Sequence, residues 1–223
     1  MNKNKKAIII FSGGLDSTTL LYYLLNKEYE LEAISYDYGQ KHKKELDCAK
    51  EICKDLNIKH DIIDISFIGK HINSSLTQDD QEIPEGHYES ENMESTVVYH
   101  RNLMMMTIAN AIGLSRGILD IAYAAHAGDH IIYPDCRPMF ADSAEITLNI
   151  SSDKKINIIR PFINIDKTDI LRIGLNLNVP YEKTWSCYKG NKLSCGKCGT
   201  CIERLEAFKE CNIKDPIEYE GKI

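Results

Sequence analysis

Residues Ala7-Ile8-Ile9-Ile10-Phe11-Ser12-Gly13-Gly14-Leu15-Asp16-Ser17-Thr18-Thr19 make an apolar run that ends in a small, glycine-bearing turn and passes directly into a helical pattern. Strand, glycine turn and helix in that order make a cradle for an anion. With no Cβ at Gly13 and Gly14, the backbone can take positive φ and bring N–H groups close to the anion. The first turn of the helix adds its unpaired N–H groups and positive dipole end. Ser12 and Ser17 supply hydroxyl donors. Asp16 is the odd member, because a carboxylate beside a phosphate repels it unless a divalent cation, most naturally Mg²⁺, stands between them. The expected ligand is therefore a metal-bound nucleotide. Without the two serines and Asp16, the same turn would be an ordinary strand-to-helix connection.

Outward from this stretch, strand signals at 7–11, 31–36, 59–65, 118–125 and 157–159 alternate with helical patterns at 17–26, 41–56, 96–114, 140–150 and 167–177. Such alternation predicts an α/β fold built as a doubly wound parallel sheet. Ligands of such sheets bind beyond the carboxyl ends of the strands, and the Ser12–Ser17 loop lies at that edge. The stretch from Gly69 to Glu94 is polar, acid-rich and without periodicity, with Pro84 and Gly86 and the turn-prone Asn73-Ser74-Ser75. It reads as a lid, an interface arm or an exposed excursion without a mechanistic role.

The 223 residues carry a net charge of −6 and contain no basic run that could track a nucleic-acid backbone, so a dedicated nucleic-acid binder is disfavoured. Apolar stretches are strand-length, far from the ~20 residues of a membrane span, and the N-terminus does not read as a signal peptide. The expected compartment is the cytoplasm. In that reducing setting the eight cysteines argue for metal binding or chemistry ahead of disulfides.

Four of them, Cys187-x7-Cys195-x2-Cys198-x2-Cys201, are interleaved with Gly196 and Gly199, which suit tight turns around one ion. Four thiolates at this spacing fit a closed, structural tetrahedral Zn²⁺ site, with an iron–sulfur cluster as the chemical competitor. A redox-active C-x-x-C would need a thioredoxin-like context that is missing there. Cys48, Cys53 and Cys211 are assigned no role.

Tyr133-Pro134-Asp135-Cys136-Arg137-Pro138 follows the turn His126-Ala127-Gly128-Asp129-His130 at the end of the fourth strand pattern, facing the same sheet edge. Its chemistry suits a planar heterocycle: Asp135 to accept from a guanine-like N–H edge, Arg137 to fork onto a carboxylate or phosphate, Tyr133 to stack. A structural ion pair within one turn is the plainer alternative.

No G-x-x-x-x-G-K-[ST] occurs, so the first loop is not the lysine-bearing Walker cradle. It resembles the S-G-G-x-D-S pyrophosphate loop (PP-loop) of the N-type ATP pyrophosphatases, an adenine-nucleotide alpha-hydrolase-like fold. Together with Tyr38-Gly39-Gln40-Lys41-His42, Val97-Val98-Tyr99-His100-Arg101-Asn102, Tyr133–Pro138 and Thr184-Trp185-Ser186-Cys187-Tyr188 with its cysteines, the chain resembles the 7-cyano-7-deazaguanine synthases of the queuosine and archaeosine pathways over nearly its whole length.

That resemblance implies an ATP-dependent carbon–nitrogen ligase that adenylates 7-carboxy-7-deazaguanine and combines it with ammonia to give the nitrile. It implies an ATP pyrophosphatase domain over 1–180, a zinc-binding segment over 181–223, and a homodimer. Phe11, Ser12, Gly13, Gly14, Leu15, Asp16 and Ser17 would hold ATP with Mg²⁺. Asp16, Ser17 and Arg101 would be catalytic, and Arg101, Tyr133, Asp135 and Arg137 would meet the deazapurine. Cys187, Cys195, Cys198 and Cys201 would bind zinc.

Two departures stand out. The family usually reads Val-Pro-x-Arg-Asn where this chain has Val98-Tyr99-His100-Arg101-Asn102, and an acidic residue where Met139 follows Pro138. They raise two further expectations: a ligase that joins the deazaguanine carboxylate to another amine, such as a protein terminus, or neutral repacking. A non-catalytic nucleotide sensor is the reading from a different class, and a tRNA-thiolating relative would need an RNA-binding surface that this acidic chain does not advertise.

Overall fold

The computed structural model describes residues 5–88 and 90–221. Strands β1 (Lys5–Ile10), β2 (Tyr29–Asp37), β3 (Lys59–Asp64), β4 (Asp120–Ala122) and β5 (Asn157–Ile159) form a five-stranded sheet in the order β3-β2-β1-β4-β5. Every pair is parallel. Parallel neighbours need long crossovers. These carry helices α1 (Leu15–Asn26), α2 (Lys44–Asp55), α3 (Arg101–Ser115) and α4 (Pro138–Ser152), with α5 (Lys167–Asn176) and α6 (Gly199–Glu210) following β5.

The alternation of side chains along β1 divides the interior in two. Ala7 and Ile9 pack with Leu20, Leu24, Ile52, Ile170 and Phe208, from α1, α2, α5 and α6. Ile8 packs on the other face with Met106 and Ala109 of α3 and Ala144 and Leu148 of α4. A strand buried on both faces reads as the continuous apolar run Ala7–Phe11 rather than as an alternating one. The sheet is thus covered on both sides and doubly wound. Its order reverses between β1 and β4, so the loops leaving those two strands diverge and open a crevice at the carboxyl edge.

Three differences from the sequence reading have local causes. The fourth strand spans only Asp120–Ala122, the three residues that pair with both β1 and β5. Helix α3 begins at Arg101 rather than at residue 96, since His100 takes a left-handed φ of 59° immediately ahead of it. Helix α6 was hidden by Gly196 and Gly199, which read as turns. Gly199 instead opens the helix, where a Cβ would come within 2.8 Å of the Tyr88 ring.

The excursion from Gly69 to Glu94, of which Glu89 lies outside the described residues, is fastened down. Leu76 and Met93 are buried, Gly86 donates its N–H to the carbonyl of Lys197 at 3.0 Å, and Glu85 bridges to Cys198. It packs on the cysteine segment rather than standing free as an exposed excursion.

A buried ion pair ties the C-terminal segment together. Arg204, with no exposed surface, donates from Nε and Nη2 to both oxygens of Asp215 at 2.7 and 2.9 Å, from Nη1 to Thr184 Oγ1 at 2.7 Å, and from Nη2 to the Tyr181 carbonyl at 3.1 Å. Removing one partner of such a pair strands a buried charge and costs about 3–5 kcal/mol. Asp215→Ala should lower unfolding free energy in urea by that amount. Arg204→Met combined with Asp215→Leu should lose less than the single change.

Candidate active site and cysteine cluster

The crevice holds a cavity of about 220 Å³, lined by Ser12, Gly14, Asp16 and Ser17 of the loop together with Tyr38, Arg101 and Tyr188. The loop that forms its floor is preorganised. Ser12 Oγ lies 3.0 Å from Ser17 Oγ, Gly14 donates its N–H to Ser12 Oγ at 3.1 Å, and Ser12 donates its N–H to Ser17 Oγ at 3.3 Å. Gly13 has φ +83°, and a Cβ there would lie 2.5 Å from the Glu45 carbonyl and 2.7 Å from the Ala49 nitrogen. Its contribution is steric: it lets the loop rest on the backbone of α2. Trp185 closes the other side by donating its backbone N–H to the Gly13 carbonyl at 3.1 Å. Phe11 and Leu15 are buried beneath the loop and also reach the cavity wall.

Asp16, on the first turn of α1, keeps its Oδ1 buried and without a hydrogen-bond partner. An orphaned carboxylate oxygen beside a phosphate cradle fits a divalent cation. Its Oδ2 lies 3.3 Å from Lys167 Nζ and 3.8 Å from His126 Nε2, and Asp129 Oδ2 lies 3.6 Å from His126. Lys167 also meets Glu203 Oε2 at 2.5 Å. Burial pulls the Lys167 ammonium down, but Asp16 and Glu203 outweigh it and hold its pKa above the ordinary lysine value.

Sequence reasoning missed Lys167, His126, Asp129 and Glu203 as site residues. The available signal was the helix start Asp166-Lys167-Thr168-Asp169, where Asp166 caps α5 by accepting from the Asp169 N–H at 2.8 Å. That cap sets Lys167 at the same sheet edge as Asp16.

Elsewhere in the lining, Arg101 opens α3 with its guanidinium 5.6 Å from the centroid of the Tyr38 ring. Burial works against its charge, but Tyr38 and Asp135 more than compensate and keep it protonated. Asp135 Oδ2 accepts from the Asn102 N–H at 3.0 Å, and Asn102 Nδ2 donates to the Asp135 carbonyl at 3.1 Å, tying the 133–138 turn to α3. Tyr133 is buried behind the wall, its hydroxyl 2.7 Å from Thr96 Oγ1 and 3.3 Å from that of Tyr188.

The cavity lining thus includes Arg101, Asn102 and Cys136 from this region but not Tyr133, Asp135 or Arg137. Arg137 is exposed and donates from Nε to the His130 carbonyl at 2.8 Å. Burial, then Asp129 and Asp135, push the Cys136 thiol well up, so it is no thiolate nucleophile at neutral pH. The departures face outward: Tyr99 is 60% exposed and Met139 80% exposed, His100 is exposed, and none of the three lines the cavity.

The ligand atoms of Cys187, Cys195, Cys198 and Cys201 lie within 4.8 Å of one another, all buried. Cys195 and Cys198 donate backbone N–H groups to Cys187 Sγ and Cys195 Sγ, each at 3.3 Å, and Gly196 turns the chain between them with φ +70°. Hydrogen bonds from Cys198 and Cys201 pull the Cys187 thiol below the ordinary cysteine range, while the contacts of Cys201 with Cys187 and Cys198 push the Cys201 thiol up. Four sulfurs gathered around a common centre, with N–H groups turned onto them, fit a metal ion.

The sheet order and the glycine–serine loop with an aspartate in place of a lysine place the chain among PP-loop α/β folds. Two solved structures share the fold. The NMN synthetase from Francisella tularensis has a TM-score of 0.54 at 15% identity, covering 96% of this chain and 79% of that one. The NH3-dependent NAD synthetase from Campylobacter jejuni subsp. jejuni has a TM-score of 0.51 at 17% identity, covering 95% and 76%.

The sequence model of the family described as "Queuosine biosynthesis protein QueC" matches residues 6–212. Relatives named 7-cyano-7-deazaguanine synthase include one from Methanoregula boonei, 48% identical over 96% of this chain and 99% of its own length. Another, from Caldicellulosiruptor bescii, is 48% identical over 98% and 99%. The chain belongs to the QueC family.

Gly13→Ala should destabilise the fold by more than the roughly 1–2 kcal/mol that a left-handed backbone alone costs an L-residue, because the new Cβ meets backbone rather than a movable side chain. Urea denaturation of the variant checks this.

Proposed function

We propose that the chain converts 7-carboxy-7-deazaguanine, ATP and ammonia to 7-cyano-7-deazaguanine. One observation carries the reading: a single cavity is lined both by the phosphate loop, with the unpartnered Asp16 oxygen, and by Arg101. A nucleotide triphosphate on the loop and a carboxylate on Arg101 would share that cavity. Family membership and the names of the relatives support the same substrates.

A carboxylate is a poor electrophile, and adenylation supplies a leaving group. Arg101 would hold and orient the substrate carboxylate for in-line attack on the α-phosphorus. The loop N–H groups and the Ser12 and Ser17 hydroxyls would receive the departing pyrophosphate, with Lys167 adding a buried cation beside it. Magnesium held by Asp16 supplies charge neutralisation when bound. Ammonia then displaces AMP to give the amide. A second adenylation, on the amide oxygen, followed by loss of AMP and the nitrogen's protons, yields the nitrile. The loop's role is electrostatic, and the neutral Cys136 thiol forms no bond in this scheme. Tyr133 and Asp135 would act by bracing α3 and the wall, and Arg137 would need to turn inward to touch the ligand.

Zinc is the metal expected on the four cysteines, where it supplies cohesion rather than chemistry. A homodimer and a cytoplasmic location complete the reading. Among the described residues no helix is long and apolar enough to cross a membrane. The outward-facing Tyr99, His100 and Met139 lend no support to a protein acceptor.

Mass spectrometry of the reaction with carboxy-deazaguanine, ATP and ammonia should find the nitrile. An amide end product would overturn the assignment. Asp16→Asn should form AMP and pyrophosphate at least about 100-fold more slowly, a loss typical for one preorganised electrostatic group, with its melting curve nearly unchanged. Metal analysis should find one zinc per chain, and Cys198→Ser should lose that zinc and melt earlier. Iron with visible absorption would reassign the cluster.

A further inference from the structure

Lys167 is one buried ammonium between two carboxylates: Glu203 Oε2 at 2.5 Å and Asp16 Oδ2 at 3.3 Å. The two neighbours come from different parts of the chain. Asp16 belongs to the phosphate loop. Glu203 stands on α6, two residues beyond Cys201 and one before the immobilised Arg204, so its place is set by the cysteine segment. Room for it is made by Gly128, where a Cβ would collide with Glu203 Oε1.

We infer that Glu203 is a positioning residue: it draws Lys167 towards itself, weakens the hold of that ammonium on Asp16, and so leaves the inner Asp16 oxygen open to the magnesium that accompanies ATP. The inference rests on the ATP-activating function proposed above. A buried ammonium must be neutralised by whatever carboxylate is in reach. With Glu203 present the shorter contact is to Glu203, and the inner oxygen of Asp16 remains unpartnered. With Glu203 removed, the flexible lysine stem closes on Asp16, and the cation must displace an ammonium before it can bind. Glu203 would in this way act on the nucleotide site from the cysteine segment without lining the cavity itself.

The test is a magnesium titration at fixed ATP, following ATP binding by calorimetry without the carboxylate substrate and AMP formation with it. It compares the zinc-loaded wild type, Glu203→Ala, and Glu203→Ala combined with Lys167→Met. Glu203→Ala should shift the magnesium midpoint for ATP binding upward, roughly tenfold for an ion pair of ordinary strength, and excess magnesium should recover most of the AMP formation. Removing the competing ammonium in the double variant should return the binding midpoint towards wild type, although turnover stays low without Lys167.

An unchanged midpoint in Glu203→Ala, or a raised midpoint that Lys167→Met does not restore, overturns the inference. If Glu203→Ala loses zinc, Glu203→Gln takes its place, keeping the shape and an oxygen for Lys167, and should show a smaller shift with zinc retained. Zinc loss in both variants would assign Glu203 to the stability of the cysteine segment and likewise overturn the inference. A wild-type chain that binds no ATP at any magnesium concentration defeats the ATP reading itself and the inference with it. A wild type that binds normally isolates the role of Glu203.

Discussion

The phosphate loop lies directly on the backbone of α2, with no side chain between them at Gly13, and the rest of the site depends on that contact. It fixes the height of the Ser12–Ser17 hydroxyl pair above the sheet, and the Trp185 N–H locks the loop from the opposite side. A loop clamped between two pieces of backbone has few ways to relax. Donors held in this way need little reorganisation when an anion arrives, which is what makes fixed dipoles effective at developing charge.

Charge is arranged locally against the character of the whole chain. A net charge of −6 does not favour a triphosphate, yet Lys167 and Arg101 both stand in the cavity wall. Each is kept charged despite burial, Lys167 by Asp16 and Glu203, Arg101 by Tyr38 and Asp135. These partners also limit where each cation can go. Arg101 is aimed by the 133–138 turn through Asn102, so that turn contributes to the site through orientation even where its side chains stay behind the wall.

Much of this was legible in sequence, and what was missed has physical reasons. The β1 run and its loop were readable because a doubly buried parallel strand is uniformly apolar and because a glycine turn, two serines and an aspartate combine few other ways. The cysteine cluster was readable because metal ligation requires short spacing. Lys167 and Glu203 were not, since they meet across 36 residues and each alone looks like a solvated charge on a helix. Helix α6 was obscured by Gly199, whose lack of a side chain answers to the neighbouring Tyr88 ring rather than to a turn. Tyr133, Asp135 and Arg137 form a recognisable motif, but spacing cannot tell which of them faces the ligand and which braces the wall.

The pairing of β1 with both β2 and β4 has a consequence for synthesis. β1 is the central strand, and its second edge stays open until residues 120–122 have been made. Through that interval an apolar strand with an unpaired edge is exposed at the ribosome, the kind of surface that recruits holdases and seeds misassembly. The floor of the cavity waits longer still, because the Trp185 clamp and the Glu203 carboxylate arrive with the last part of the chain. A nascent chain therefore carries a finished signature loop long before it carries a working site, and any event that stops synthesis between the two leaves a sticky fragment with no activity.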